Sequence, residues 1–230
     1  MCNFVFAMVN ILYIHGMKGG ADSRIPLILS DYFRCNGGVC CDVHLDVNVV
    51  CRTYSFDPRK ATEQISSMIE ELRPSLVIAE SLGASHAFRI DGIPRIFVSP
   101  ALGAPMKLYS AAPFSRIPLI RRMLEKKYAA PPGDRQKIVF DSDILKAYKP
   151  HFEAARKGME NFGPYDFAFF GSCDHYLKNG VVSIDFWERK FGKDTFQIYD
   201  GIHNMEEKYI YSLLIPKIVE ILLNLQNVCE

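Results

Sequence analysis

At 230 residues, with 49% hydrophobic and 23% charged positions, the chain has the composition of an ordinary globular protein and not of a disordered or fibrous one. A net charge of +1 gives no large single-sign field, so nothing in the charge points to nucleic acid. The seven cysteines are an odd count without a C-x-x-C pair, and Cys40 adjoins Cys41, which suits reduced thiols in a cytosol better than a disulfide framework.

The first nine residues are apolar but lack the basic start and small-residue cleavage site of a signal peptide, and Met8 offers an alternative start. No stretch reads as long and apolar enough to span a membrane, so a cytoplasmic location without stable membrane insertion is expected. Ile11–Ile14 is a short buried strand ending at His15-Gly16. The loop Met17-Lys18-Gly19-Gly20 follows, with Asp22 or Ser23 as the cap of a helix over Pro26–Phe33 that Asn36-Gly37-Gly38 ends. Val43–Val49 alternates apolar and polar residues as a half-exposed strand does, with strand character reaching towards Tyr54.

Asp57-Pro58 opens the next helix as cap and first-turn proline. Ala61, Ile65, Met68, Ile69 and Leu72 recur along it at helical spacing before Arg73-Pro74 stops it. Leu76-Val77-Ile78-Ala79 is an apolar strand that runs through Glu80 into Ser81-Leu82-Gly83-Ala84 and a helix to Ile90. Strand, tight turn with a serine, and helix is the pattern of a nucleophile elbow, in which small residues around the serine keep strand and helix from colliding. An ordinary strand-to-helix turn with a capping serine fits the same stretch. Pro94–Pro100 is a further buried strand. The alternation of strands and helices implies a mostly parallel central sheet with helices on both faces, an α/β fold.

Residues 103–164 interrupt that rhythm. They are rich in proline and basic residues, with helical patches and at most one strand at Ile138–Phe140, and are expected as a helical insertion over the C-terminal edge of the sheet within a single domain spanning 1–230. Met106, Leu108, Tyr109, Phe114 and Ile117 are expected there, either as a pocket wall or as the insertion's own core. Phe167–Gly171 resumes the pattern as a strand, followed by a helix over Val181–Lys190, a strand over Thr195–Tyr199, and a closing helix over about 205–225 bent or restarted at Pro216.

Ligands in such sheets bind outside the carboxyl ends of the strands. Four polar stretches lie there: His15-Gly16-Met17, Glu80-Ser81-Leu82, Cys173-Asp174-His175 and Gly201-Ile202-His203. They supply a backbone donor, a serine, an aspartate and a histidine, and Ser…Asp…His is the chain order in which this architecture provides a triad. His175 rivals His203 as the base. Asp141, Asp143, Asp185 and Asp200 rival Asp174 as the acid, and Glu80 reads as a polar rim residue. No cysteine occupies an elbow, and the six histidines show no metal-ligand spacing, so neither a metal nor a cofactor is expected.

With His15-Gly16, Ser81-Leu82-Gly83, Ser99-Pro100-Ala101, Gly171-Ser172-Cys173-Asp174 and Gly201-Ile202-His203 in place, the chain resembles the α/β-hydrolase superfamily, in particular its small bacterial esterase-like branch. It departs from the usual pattern in carrying Ala79 for the first elbow glycine and in lacking a Gly-His pair in the histidine loop. The resemblance implies a serine hydrolase acting on a small-molecule ester or thioester through an acyl-enzyme. Its catalytic residues would be Ser81, Asp174 and His203, with the backbone N–H groups of Met17 and Leu82 as oxyanion hole. His15 would shape its turn. Two other readings stand beside this one: a nucleotide-binding domain using Gly16–Gly20 as a phosphate loop, and a hydrolase-like binding module without turnover.

Overall fold

A computed structural model describes residues 8–35, 39–40, 43–44 and 46–228. Strands β1 (Val9–Ile14), β4 (Val47–Cys51), β5 (Leu76–Glu80), β6 (Arg95–Val98), β7 (Phe167–Gly171) and β8 (Phe196–Tyr199) form one six-stranded sheet in the order β4-β1-β5-β6-β7-β8. Every pairing within it is parallel. The expected strand over Val43–Val49 divides in two. Val47 onwards joins the sheet, whereas Val43–His44 (β3) pairs antiparallel with Val39–Cys40 (β2). The expected helix end at Asn36-Gly37-Gly38 lies outside the described residues.

Helices α1 (Arg24–Cys35), α2 (Pro58–Leu72), α3 (Ala84–Ala87), α4 (Ala104–Ser110), α5 (Pro118–Lys127), α6 (Ser142–Gly158), α7 (Ile184–Phe191), α8 (Glu207–Tyr209) and α9 (Ile215–Val228) cover the sheet. The period-two alternation of the strands sorts their side chains between two cores. Ile11, Tyr13, Leu76, Ile78, Ile96, Val98 and Phe169 face α1 and α9, meeting Leu29, Phe33, Ile218 and Leu222. Leu12, Ile14, Val77, Ala79, Phe97, Ala168 and Phe170 face α2 and α7, meeting Ala61, Ile65, Met68 and Trp187.

Caps act where the residue types place them. The Asp57 carboxylate accepts from the Arg59 N–H with Pro58 in the first turn, and Arg73 closes α2 in a left-handed conformation at φ 44°. The buried guanidinium of Arg95, on the central strand β6, is neutralised by Asp166 at 2.5 Å and also donates to the carbonyls of Ile90 and Asn161.

Two expectations need correction. Ile138–Phe140 forms no strand. Ile138 and Phe140 are instead buried in a cluster with Phe56, Leu82, Leu145 and Tyr148, filling the space above the sheet. The elbow helix is shorter than expected, a 3-10 turn over Ser81–Gly83 and then α3 as far as Ala87. The closing helix restarts with a π turn over Ile210–Leu214 just before Pro216, whose ring crowds the preceding turn.

Glu207–Gln226, contrary to expectation, is long and apolar enough to cross a membrane by length and composition alone. Its buried residues Ile210, Leu214, Ile215, Ile218, Val219, Ile221 and Leu222 belong to the core under the sheet, which accounts for that composition.

Candidate active site

The register of the sheet brings the relevant strand ends together. Ile14 pairs with Ala79, Glu80 with Val98 and Gly171 with Tyr199, so the loops after β1, β5, β6, β7 and β8 open on the same edge. Ser81 leaves β5 with φ 52°, a left-handed conformation unusual for a residue with a Cβ and held here by its surroundings. Its carbonyl accepts from the Ala101 N–H at 3.0 Å, tying the turn to the loop after β6. Ser99 in that loop is itself left-handed at φ 46°, with its hydroxyl buried.

The Ser81 hydroxyl lies 2.8 Å from Nε2 of His203, and Nδ1 of that ring lies 2.6 Å from Oδ2 of Asp174. Both partners of the second contact are buried. Asp174 is oriented by its own turn, its Oδ1 accepting the Tyr176 N–H at 2.8 Å, and the Tyr176 ring stands edge-on to the imidazole at 4.6 Å. The two loops meet closely: the Cys173 N–H donates to the Gly201 carbonyl at 2.9 Å, and a Cβ on Gly171 would stand 2.5 Å from the carbonyl oxygens of Gly201 and Ile202. Sequence reading passed over Tyr176. The signal for it is the aspartate two residues earlier, whose side chain accepts from the i+2 amide in an Asx turn.

Gly16 abuts the serine, since a Cβ there would lie 2.9 Å from that of Ser81 and 3.5 Å from its hydroxyl oxygen. Met17 follows in the same turn and packs against the cluster that buries Leu82, so both expected oxyanion residues flank Ser81. His15 lies beneath them, buried, its Nδ1 donating to the Gly16 carbonyl at 2.8 Å and its ring stacked 4.0 Å from Tyr54. Burial holds its pKa down to about 4, so the ring is neutral.

The rival residues go elsewhere. The side chain of His175 is 68% exposed and approaches Asp174 only to 3.9 Å. Asp141 caps α6, Asp143 pairs with Lys146, and Asp185 sits in the first turn of α7. Asp200 accepts from the Ser172 hydroxyl at 3.5 Å. Glu80, read as a polar rim residue, is half-buried. Its carboxylate accepts from the Tyr13 hydroxyl at 2.8 Å, and burial pushes its pKa up. Of the insertion's apolar residues, Leu108 and Tyr109 pack against the cluster around Leu82, whereas Phe114 and Ile117 face solvent and form neither wall nor core.

Two amides of the Gly16–Gly20 loop, and that of the residue after it, are already engaged. The N–H groups of Gly19, Gly20 and Ala21 donate to the Gly16 carbonyl, the Ser23 hydroxyl and the Thr53 hydroxyl, each at 3.0 Å. Among the described residues no cluster of three His, Cys, Asp or Glu could hold a metal ion.

No protein-family model and no curated protein matches the sequence. Solved structures do match. A monoacylglycerol lipase of Paleococcus ferrophilus superposes with a TM-score of 0.58 at 17% identity, over 93% of this chain and 96% of its own. An esterase of Pyrococcus furiosus gives a TM-score of 0.58 at 14% identity, over 94% and 82% of the two chains. A structure from work on Nitrososphaera gargenis carboxylesterases gives 0.55 at 10% identity, over 94% and 92%. With its parallel sheet, helices on both faces and serine-bearing turn after β5, the chain has the α/β-hydrolase fold.

Proposed function

We propose that this protein is a serine hydrolase that cleaves a carboxylic ester or thioester of a small molecule through an acyl-enzyme. The observation that carries the reading is the continuous hydrogen-bonded path from Asp174 through both ring nitrogens of His203 to the Ser81 hydroxyl. The esterase and lipase names of its structural neighbours agree with it.

In this mechanism Nε2 of His203 takes the proton of Ser81 as the hydroxyl oxygen attacks the substrate carbonyl carbon. Asp174 fixes the tautomer with its proton on Nδ1 and stabilises the imidazolium that forms. The oxyanion of the tetrahedral intermediate is bound by the backbone N–H groups of Leu82 and Met17, a contribution of about 10²-fold or more in turnover for each such donor. His203 then protonates the leaving alcohol or thiol. Water deprotonated by the same ring attacks the acyl-Ser81 ester and releases the acid.

Leu82, Phe56, Phe140, Leu145 and Tyr148 already fill the apolar space above the serine turn. Acetyl and butyryl esters therefore fit better than long acyl chains, and a chain-length series of p-nitrophenyl esters whose rates rise steadily to palmitate would refute that preference. The mechanism itself is tested with a fluorophosphonate probe. Covalent labelling at Ser81 is expected, absent in Ser81→Ala and strongly reduced in His203→Ala. A folded wild-type protein that stays unlabelled would instead be a binding module on a hydrolase fold.

A further inference from the structure

Helix α5 forms the outer surface of the insertion and has no buried residue. Leu124 on its inner side, and Tyr128 just after it, pack against the cluster that holds Leu82, and Arg121 on that side is paired with Glu125 at 3.0 Å. The outer side is different. Leu119 and Met123, one turn apart, are 71% and 63% exposed, and Phe114 and Ile117 just before the helix are 57% and 49% exposed. Of the nine large apolar side chains standing exposed among the described residues, these four fall within ten positions, so they form a patch and not the usual scatter. Arg116, Arg122, Lys126 and Lys127 are exposed around them, and the one acid between Phe114 and Lys127 is the already paired Glu125. In a chain of net charge +1, that is a concentrated basic surface.

We propose that this face docks on an anionic lipid surface. Exposed apolar side chains rimmed by basic ones that no carboxylate neutralises are the composition of a helix that lies in the plane of a membrane interface, with apolar groups at the acyl boundary and cations among lipid phosphates. A second copy of the chain fits less well, because a two-fold contact would set Arg122 and Lys126 against their own counterparts. Nucleic acid fits less well again, because its phosphates would meet Leu119 and Met123 at the centre of the patch. Docking here would hold the Ser81 edge of the sheet, which lies under the inner side of α5, close to the membrane. The inference concerns binding alone and does not require the hydrolytic reading, so Ser81→Ala should bind vesicles as the wild type does.

The test is co-sedimentation of the full chain with vesicles of phosphatidylcholine, alone or mixed with phosphatidylglycerol, at low and high salt. Binding is expected to the mixed vesicles only, and to weaken with salt. Since each basic residue near an anionic surface contributes roughly fivefold, Arg122→Gln/Lys126→Gln should bind about 25-fold more weakly. Leu119→Ser/Met123→Ser should lose about tenfold or more through the apolar area withheld. All four side chains are exposed, so melting curves should match the wild type and show that weaker binding is not misfolding. No binding to mixed vesicles, equal binding to neutral ones, or indifference to both double variants would overturn the proposal. So would light scattering that finds a lipid-free dimer dispersed by Leu119→Ser/Met123→Ser, since a second copy would then cover the face.

Discussion

Gly83 and Ile14 are in such close contact that a Cβ on the glycine would stand 2.4 Å from the Ile14 carbonyl oxygen, with the His15 carbonyl oxygen 2.7 Å away. Both obstacles are backbone at the end of a central strand, which cannot swing aside as a side chain can. The serine turn is thereby pressed against the His15-Gly16 turn, and the space between them is set by the absence of one methyl group. Gly83→Ala should displace the turn, lowering esterase activity at least tenfold and stability by about 1–3 kcal/mol. Urea melts and probe labelling at Ser81 check both. Wild-type values would mean that β1 yields.

Asp174→Asn tests the hydrogen bond to Nδ1. The amide keeps the size of the carboxylate but stabilises neither the required tautomer nor the imidazolium, so kcat should fall about 10⁴-fold with the fold intact. A loss below tenfold would mean that another group supports His203.

Acid should unfold the protein through its buried neutral histidines. His151 illustrates why. The Ser85 hydroxyl donates to the Leu82 carbonyl at 2.8 Å, so it accepts from Nε2 of His151 at 3.0 Å, and Nδ1 accepts from Arg89 at 3.0 Å. Protonating Nδ1 would set two cations face to face in a buried site. Burial lowers the pKa of His151 to about 4, that of His15 also to about 4, and that of His86 further below its usual range. The unfolded chain takes up these protons from about pH 6.5 downwards while the folded chain resists, so stability is complete above 6.5 and falls as pH drops towards 4. His15 and His151 each account for about 3 kcal/mol across that window at 1.36 kcal/mol per pH unit. Denaturant melts from pH 8 to 4 should show the slope, shallower in His151→Gln. An unchanged slope in that variant would show that His151 is not among the groups responsible.

The Arg95–Asp166 pair, with both side chains 2% exposed, leaves a buried charge behind when either partner is removed. Asp166→Ala should cost about 3–5 kcal/mol, whereas Arg95→Met/Asp166→Leu should restore much of that. Equal losses in both would indicate that the carbonyls Arg95 holds matter more than its charge.

Glu80→Gln should raise Tm at neutral pH, because it removes a carboxylate that burial disfavours while keeping an acceptor for Tyr13. The gain should vanish as pH falls and Glu80 itself becomes neutral. Turnover should decline several-fold, since the variant removes a negative charge beside Ser81. Unchanged Tm with unchanged turnover would mean that the carboxylate is already neutral in the native protein.

Strand and helix order was legible in the sequence because local forces write it: apolar runs such as Leu76–Ala79, the Asp57-Pro58 cap, and the helical spacing of Ala61, Ile65 and Met68. The polar residues past the strand ends were legible for the same reason, since a strand that ends in Ser81 or leads to Asp174 shows where it stops. Those signals are read within a few residues along the chain. Which histidine meets Asp174 is not a local matter. It depends on how closely Gly171 admits the Gly201–His203 loop, and only the packed chain decides that. The inward turn of Glu80 and the outward exposure of Phe114 and Ile117 are of the same kind. An apolar or charged residue type states its preference for burial or water, but the space available to it is set by neighbours tens of residues away.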